Sequence, residues 1–174
     1  MGMQTDVLSG HIETSGFIIP LGRCRLKQVV FQGSGAGAGV VEIFDTNAAP
    51  VSATYGRSTT TITVTKSSHG LKTGDTVGIA FSAAAGASGT DGNYVITVVD
   101  SSTFTITDQN SGTVTAGTAC RYVDGTGGRW LTSFATVTSQ TTPCAVLLPG
   151  EGMIARQGLY ANFSNTSWVT IFYG

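Results

Sequence analysis

Tyr94-Val-Ile-Thr-Val-Val-Asp-Ser-Ser-Thr-Phe-Thr-Ile-Thr107 holds two runs of β-branched and aromatic residues on either side of a short polar break. Residues of that kind fit a pleated, half-buried surface, because their stiff χ1 rotamers lose little on packing there. Asp100-Ser-Ser102 supplies side-chain oxygens that satisfy local backbone N–H groups, so the stretch reads as strand, tight turn, strand. The same texture extends outward. Thr60–Thr65, Thr76–Phe81 and Thr113–Thr115 repeat it, with turn signals at Gly74-Asp75, Asp91-Gly-Asn93 and Asn110-Ser-Gly112. Five short strands at this spacing predict a small β-barrel or meander over residues 57–119.

The flanks are punctuated differently. Arg25–Gln32 and Val40–Asp45 are strand candidates separated by the run Gly33-Ser-Gly-Ala-Gly-Ala-Gly39, which predicts a hairpin with a long tip. Arg129–Ala135, Cys144–Leu148, Met153–Ala155, Gly158–Phe163 and Trp168–Tyr173 supply further strands. Neither flank is long enough alone, whereas 1–56 and 120–174 together match the size of a β-sandwich. The expected fold is therefore all-β: a sandwich formed by both termini, with 57–119 inserted at a surface loop. Two consecutive small domains are the alternative. Ser82-Ala-Ala-Ala-Gly-Ala87 is too short for a helix and reads as a loop.

Composition agrees. The chain has 174 residues, of which 24 are Gly and only 11% are charged, a balance unsuited to helix surfaces. An apolar share of 41% excludes a disordered polar chain. Nine basic residues against ten acidic ones, scattered and with a pI of about 6.0, speak against nucleic acid or an anionic membrane as partner. Met1–Asp6 lacks the basic and apolar regions of a secretory signal, and no apolar run reaches membrane-spanning length, so the chain is expected to be made in the cytoplasm.

Candidate chemistry is sparse. Cys24, Cys120 and Cys144 are odd in number and lack CxxC spacing, which predicts buried small hydrophobes. His11 and His69 have no second ligand at zinc spacing. Gly33-x-Gly35-x-x-Ala38 satisfies a relaxed dinucleotide pattern, but a strand follows it where a helix is required. No GxSxG elbow is present, and Asp75, Asp91, Asp100 and Asp124 sit at turns where aspartate serves the backbone. The sequons at Asn162 and Asn165 matter only in a secretory pathway. Trp130, Tyr160, Trp168 and Tyr173 could form a sugar platform, although their alternation with polar residues places them in the sandwich core. No catalytic, cofactor-binding or metal residue is assigned, no enzyme activity is expected and no cofactor is expected.

Ile62-Thr-Val-Thr-Lys-Ser-Ser-His-Gly-Leu-Lys-Thr-Gly-Asp-Thr-Val77 and Gly89–Ile106, with the His-Gly-Leu-x-Thr-Gly-Asp turn, the Asp-Gly-x-Tyr strand start and the Ser-x-Thr-Phe-Thr hairpin, resemble a small β module of tailed-bacteriophage structural proteins. The flanks, through Gly22–Phe31, Val40–Asp45 and Gly158–Gly174, resemble small virion-associated sandwich proteins. The resemblance implies a virion protein with no catalytic motif to carry over, placed on the capsid surface as a decoration or cement protein. Its implied partners are the major capsid protein and further copies of itself as a homotrimer, with the sandwich gripping the shell, the insert protruding, and edges near Met1–Gly10 or Trp168–Gly174 open to strand addition. A tail, neck or fibre component, or a carbohydrate- or receptor-binding module with a host-surface glycan as partner, are the alternatives.

Overall fold

A computed structural model describes residues 7–82, 87–124 and 128–174. Most of these residues are in strands, and no described residue is helical. Met1–Asp6 and most of the Ser82–Ala87 stretch read above as a loop lie outside the described residues. The chain divides into two compact units, residues 1–47 with 133–174 and residues 48–132. The boundaries drawn from the sequence at 56/57 and 119/120 fall inside strands, because the second unit begins and ends further out.

The first unit contains β1 (Leu8–Ile12), β2 (Gly16–Ile19), β3 (Cys24–Gly33) and β4 (Val40–Asp45). The second contains β5 (Val51–Thr65), β6 (Thr76–Phe81), β7 (Gly92–Val95), β8 (Thr97–Asp100) and β9 (Thr103–Asp124). The division falls within β10 (Arg129–Ala135), and β11 (Pro143–Leu147), β12 (Met153–Ala155), β13 (Leu159–Ser164) and β14 (Thr166–Tyr173) complete the first unit.

Two antiparallel sheets form the first unit. One runs β1-β14-β3-β11, with β12 also on β3; the other runs β10-β4-β13-β2. Alternation sets the inner face. Val29 and Phe31 of β3 stand opposite Ile171 and Val169 of β14, and all four are fully buried. From the other sheet Ile43 stands opposite Ala161, both also fully buried. The sheets approach closely enough that a Cβ on Gly10 would lie 2.6 Å from the Ile18 side chain, so that position accepts no larger residue without a shift.

The predicted β3–β4 hairpin does not form. The two strands lie in different sheets, and Gly33–Gly39 is the crossing between them. A second crossing, from β13 to β14 at Asn165, locks onto it: Ser34 N–H donates to the Asn165 carbonyl (2.8 Å) and the Asn165 amide donates to the Ala38 carbonyl (3.3 Å). Gly39 N–H adds a 2.8 Å bond to the Thr136 hydroxyl. Glycine is needed at Gly33, where a Cβ would sit 2.3 Å from the Gln140 carbonyl oxygen. The terminal strand β14 is likewise no edge; β1 covers it on one side and β3 on the other.

The second unit is one sheet of order β5-β9-β6-β7, with β8 also on β9, and it does not close into a barrel. The predicted Tyr94–Thr107 hairpin is present only from Thr97 onward, as β8 and β9 with Val98 opposite Phe104; its first strand breaks at Ile96, and Tyr94 and Val95 belong to β7, which pairs with β6. Asn110-Ser-Gly112 does not end a strand as expected. β9 runs 22 residues through it, and the pairing with β5 slips there: between Thr59 and Thr61 the partner moves from Gly112 to Thr107. The extra residues bulge out of the ladder, which is how turn-forming residues are accommodated inside a strand. Ile62, Val64, Phe104, Ile106, Val77, Ile79 and Tyr122 fill the core.

Candidate functional site

Two of the elements that mark the module, the His69–Asp75 turn and the Asp100–Thr103 turn, meet in one loop system. Lys66–Asp75 leaves β5, and His69 joins it to the β8–β9 turn. Leu71 N–H donates to His69 Nδ1 (3.0 Å), so that nitrogen carries the lone pair and Nε2 carries the proton, which it donates to the Asp100 carbonyl (2.9 Å). This assigns the neutral Nε2–H tautomer. The ring also packs edge-on to Phe104 with centroids 5.5 Å apart, and His69 N–H reaches the Ser101 carbonyl. Ser68 and Gly70 on either side take positive φ, which wraps the loop around the ring.

The neighbouring acids serve the same purpose. Asp75 accepts Lys72 N–H at 2.8 Å, Asp91 accepts Phe81 N–H at 2.8 Å, and Asp100 accepts Ser102 N–H at 2.7 Å. The Ser102 amide, aided by Thr103, holds the Asp100 carboxyl below the usual range. Asp124 ends β9 opposite Val77. A shallow concavity of about 400 Å³ opens between His69, Leu71, Lys72, Val98 and Asp100. Both ring nitrogens of the histidine that lines it are already engaged.

Sequence reading missed the most elaborate polar cluster. Arg57 and Asp108 form a fully buried ion pair, Nη2 to Oδ2 3.4 Å. The guanidinium also donates from Nε to Thr59 O (3.0 Å), from Nη1 to Ala87 O (3.1 Å) and Ser88 O (2.6 Å), and from Nη2 to Asn110 O. Asp108 accepts Thr90 N–H (2.8 Å) and Asn110 N–H (3.2 Å). Burial alone would raise its carboxyl; the Thr90 and Asn110 donors, with the Arg57 charge, outweigh that and hold it below the usual range. Arg57 thus plugs the β9 bulge and ties it to the 87–90 segment. The only sequence signal was an arginine and an aspartate in a Thr-rich field, with nothing to pair them across 51 positions.

The remaining candidates are dispersed. His11 lies on β1 beside Trp168, with its Nδ1 2.8 Å from the Thr170 hydroxyl. Cys24 and Cys120 are buried and Cys144 is half-buried; burial, then Asp45, pushes the Cys24 thiol up to about 11. Asn162 donates to Glu42 across the β13–β4 ladder (2.6 Å), both buried. Asn93 holds Trp130 by paired backbone contacts, amide to O 3.0 Å and N–H to Oδ1 2.9 Å. The four candidate aromatics are half-buried rather than core, because Trp168 and Tyr160 stand on the opposite faces of their strands from the inner residues Val169 and Ala161. Among the described residues no group of three or more His, Cys, Asp or Glu could hold a metal.

The class these features define is an all-β chain whose distinctive polar residues build its own loops. No family model and no curated protein matches it. Among solved structures it is similar to the phage phi92 endosialidase, at 29% identity and a TM-score of 0.30, over 57% of this chain and 14% of that one.

Proposed function

We propose that this chain is a non-enzymatic structural protein of a tailed-bacteriophage virion, a decoration or cement protein on the capsid that contacts the major capsid protein and other copies of itself in a trimer. The observation that carries the reading is the use made of the module's signature residues. His69, Asp75, Asp91 and Asp100, the groups that could have done chemistry, are all bound to backbone of their own unit. A loop system so fully consumed by its scaffold supports a building block over a catalyst. The phage assignment rests on the resemblance of the Ile62–Val77 and Gly89–Ile106 motifs to phage structural modules.

The test is co-sedimentation with expanded capsids that lack the chain. Saturable binding at a fixed number of copies per shell is expected. Failure to bind shells, with co-purification on tails, contradicts the capsid assignment.

A further inference from the structure

The half-buried ring of His69 does different work at its two nitrogens. Nδ1 accepts Leu71 N–H at 3.0 Å, and Nε2 donates to the Asp100 carbonyl at 2.9 Å. Only the neutral imidazole can accept at one nitrogen while donating from the other; the imidazolium is a donor at both. A proton on Nδ1 therefore meets the Leu71 N–H donor to donor and breaks that bond, while the Nε2–H bond to Asp100 survives. The bond from His69 N–H to Ser101 O (3.3 Å) is backbone to backbone and does not involve the ring. One proton thus acts on one side of the loop only.

The piece that this bond holds is short and bounded. Lys66 N–H to Ser102 O (2.8 Å) fixes the loop where it leaves β5, and Gly74 N–H to Ile96 O (3.0 Å) fixes it just before β6. Between these anchors Ser68 and Gly70 hold φ of 54° and 70°, and a serine keeps such a backbone only where its surroundings impose it. Charges of both signs surround the ring. Asp100 and Lys72 line the concavity with it, Lys66 and Asp75 stand at the two ends of the loop, and Phe104 on β9 adds none. Asp100 favours a proton on the ring and Lys72 opposes it. Two carboxylates against two ammonium groups leave no net charge, so the exchange of an acceptor for a donor at Nδ1 decides what the loop does.

We infer that His69 is a proton-operated latch on the Ser68–Leu71 segment: the neutral ring holds the segment against the β8–β9 turn, and a proton on Nδ1 frees it while Asp100 keeps hold of the ring. The concavity that Ser68, Gly70 and Leu71 line changes shape with it. The inference is independent of where the chain sits on a particle. Amide hydrogen exchange of the whole chain, read residue by residue by NMR between about pH 8 and pH 5 and corrected for the intrinsic rate, tests it alongside the His69 ring signals. Leu71 protection is expected to fall about tenfold or more, the loss of one hydrogen bond, in step with protonation of the ring, while Lys66 and Gly74 stay protected. His69→Asn offers Leu71 an acceptor that does not titrate, and there Leu71 protection should stay constant over the same range. If that variant does not fold, the natural chain decides alone, by whether Leu71 protection and the ring signals share one midpoint. Four results overturn the latch: a Leu71 amide unprotected at about pH 8, a ring that takes no proton down to about pH 5, protection that ignores the ring's titration or falls equally at Lys66 and Gly74, and the same fall in folded His69→Asn.

Discussion

The Arg57 guanidinium and the Asp108 carboxylate meet at 3.4 Å with neither side chain exposed, inside a bulge where β9 leaves the β5 ladder. A pair so buried contributes little over an apolar replacement of equal shape, but removing one partner strands a charge. Arg57→Ala and Asp108→Ala should each destabilise the chain by about 3–5 kcal/mol in urea unfolding. The double variant should cost less than the sum of the singles; additivity would show that the two groups do not act together.

Acid unfolding should report the same carboxyl. Asp108 is held below its unfolded value of about 3.9, so its contribution is present above that pH and is lost as pH falls through the folded value. The stability of the natural chain should drop as pH falls below about 4, and Asp108→Asn should flatten that limb. An unchanged acid limb in Asp108→Asn would remove Asp108 from the explanation.

Alkaline behaviour has the opposite sign. Burial first, then nearby carboxylates, pushes Tyr94 and Tyr122 up to about 12. Their stabilisation is present below the unfolded value of about 10 and is lost as pH rises toward about 12. Part of the tyrosinate absorbance should therefore appear late, together with loss of the β signal. Tyr94→Phe and Tyr122→Phe should each diminish that late fraction.

Gly78→Ala should cost about 1–3 kcal/mol, because the new Cβ would lie 2.2 Å from Trp130 N, a backbone atom that cannot rotate away. A variant as stable as the natural chain would mean that Arg129 and Trp130 are not seated on β6.

Capsid attachment should be nearly insensitive to salt. Exposed ion pairs contribute at most about 1 kcal/mol each, and a chain with 11% charged residues has few to offer. Occupancy on expanded shells should change less than about threefold between roughly 0.05 and 0.5 M salt. A steep loss would assign attachment to charge.

Where local chemistry decides structure, the sequence was readable. Thr97–Thr107 became β8 and β9 because β-branched runs and an Asp-Ser-Ser turn agree within a few residues, whereas Tyr94 and Val95, read as part of the same strand, went to β7 beside β6. Asp75 and Asp100 cap nearby backbone as their turn positions implied, whereas Asp91 reaches ten residues back to Phe81 N–H. Gly33–Gly39 misled, since a glycine run permits a hairpin tip and an inter-sheet crossing alike; the choice was made by Asn165 and Thr136, more than 90 residues away. Asn110-Ser-Gly112 has turn chemistry, yet forms a bulge because Arg57 fills it. The outward position of Trp168 depends on which parity of β14 meets the opposite sheet, and the Trp168–Phe172 alternation alone does not say which side is inside.

Labelling intact virions with an antibody to this chain and imaging them by electron microscopy tests the central claim most directly. Label at regularly repeated positions over the head is the predicted result. Label confined to the tail, or particles without any, would contradict it.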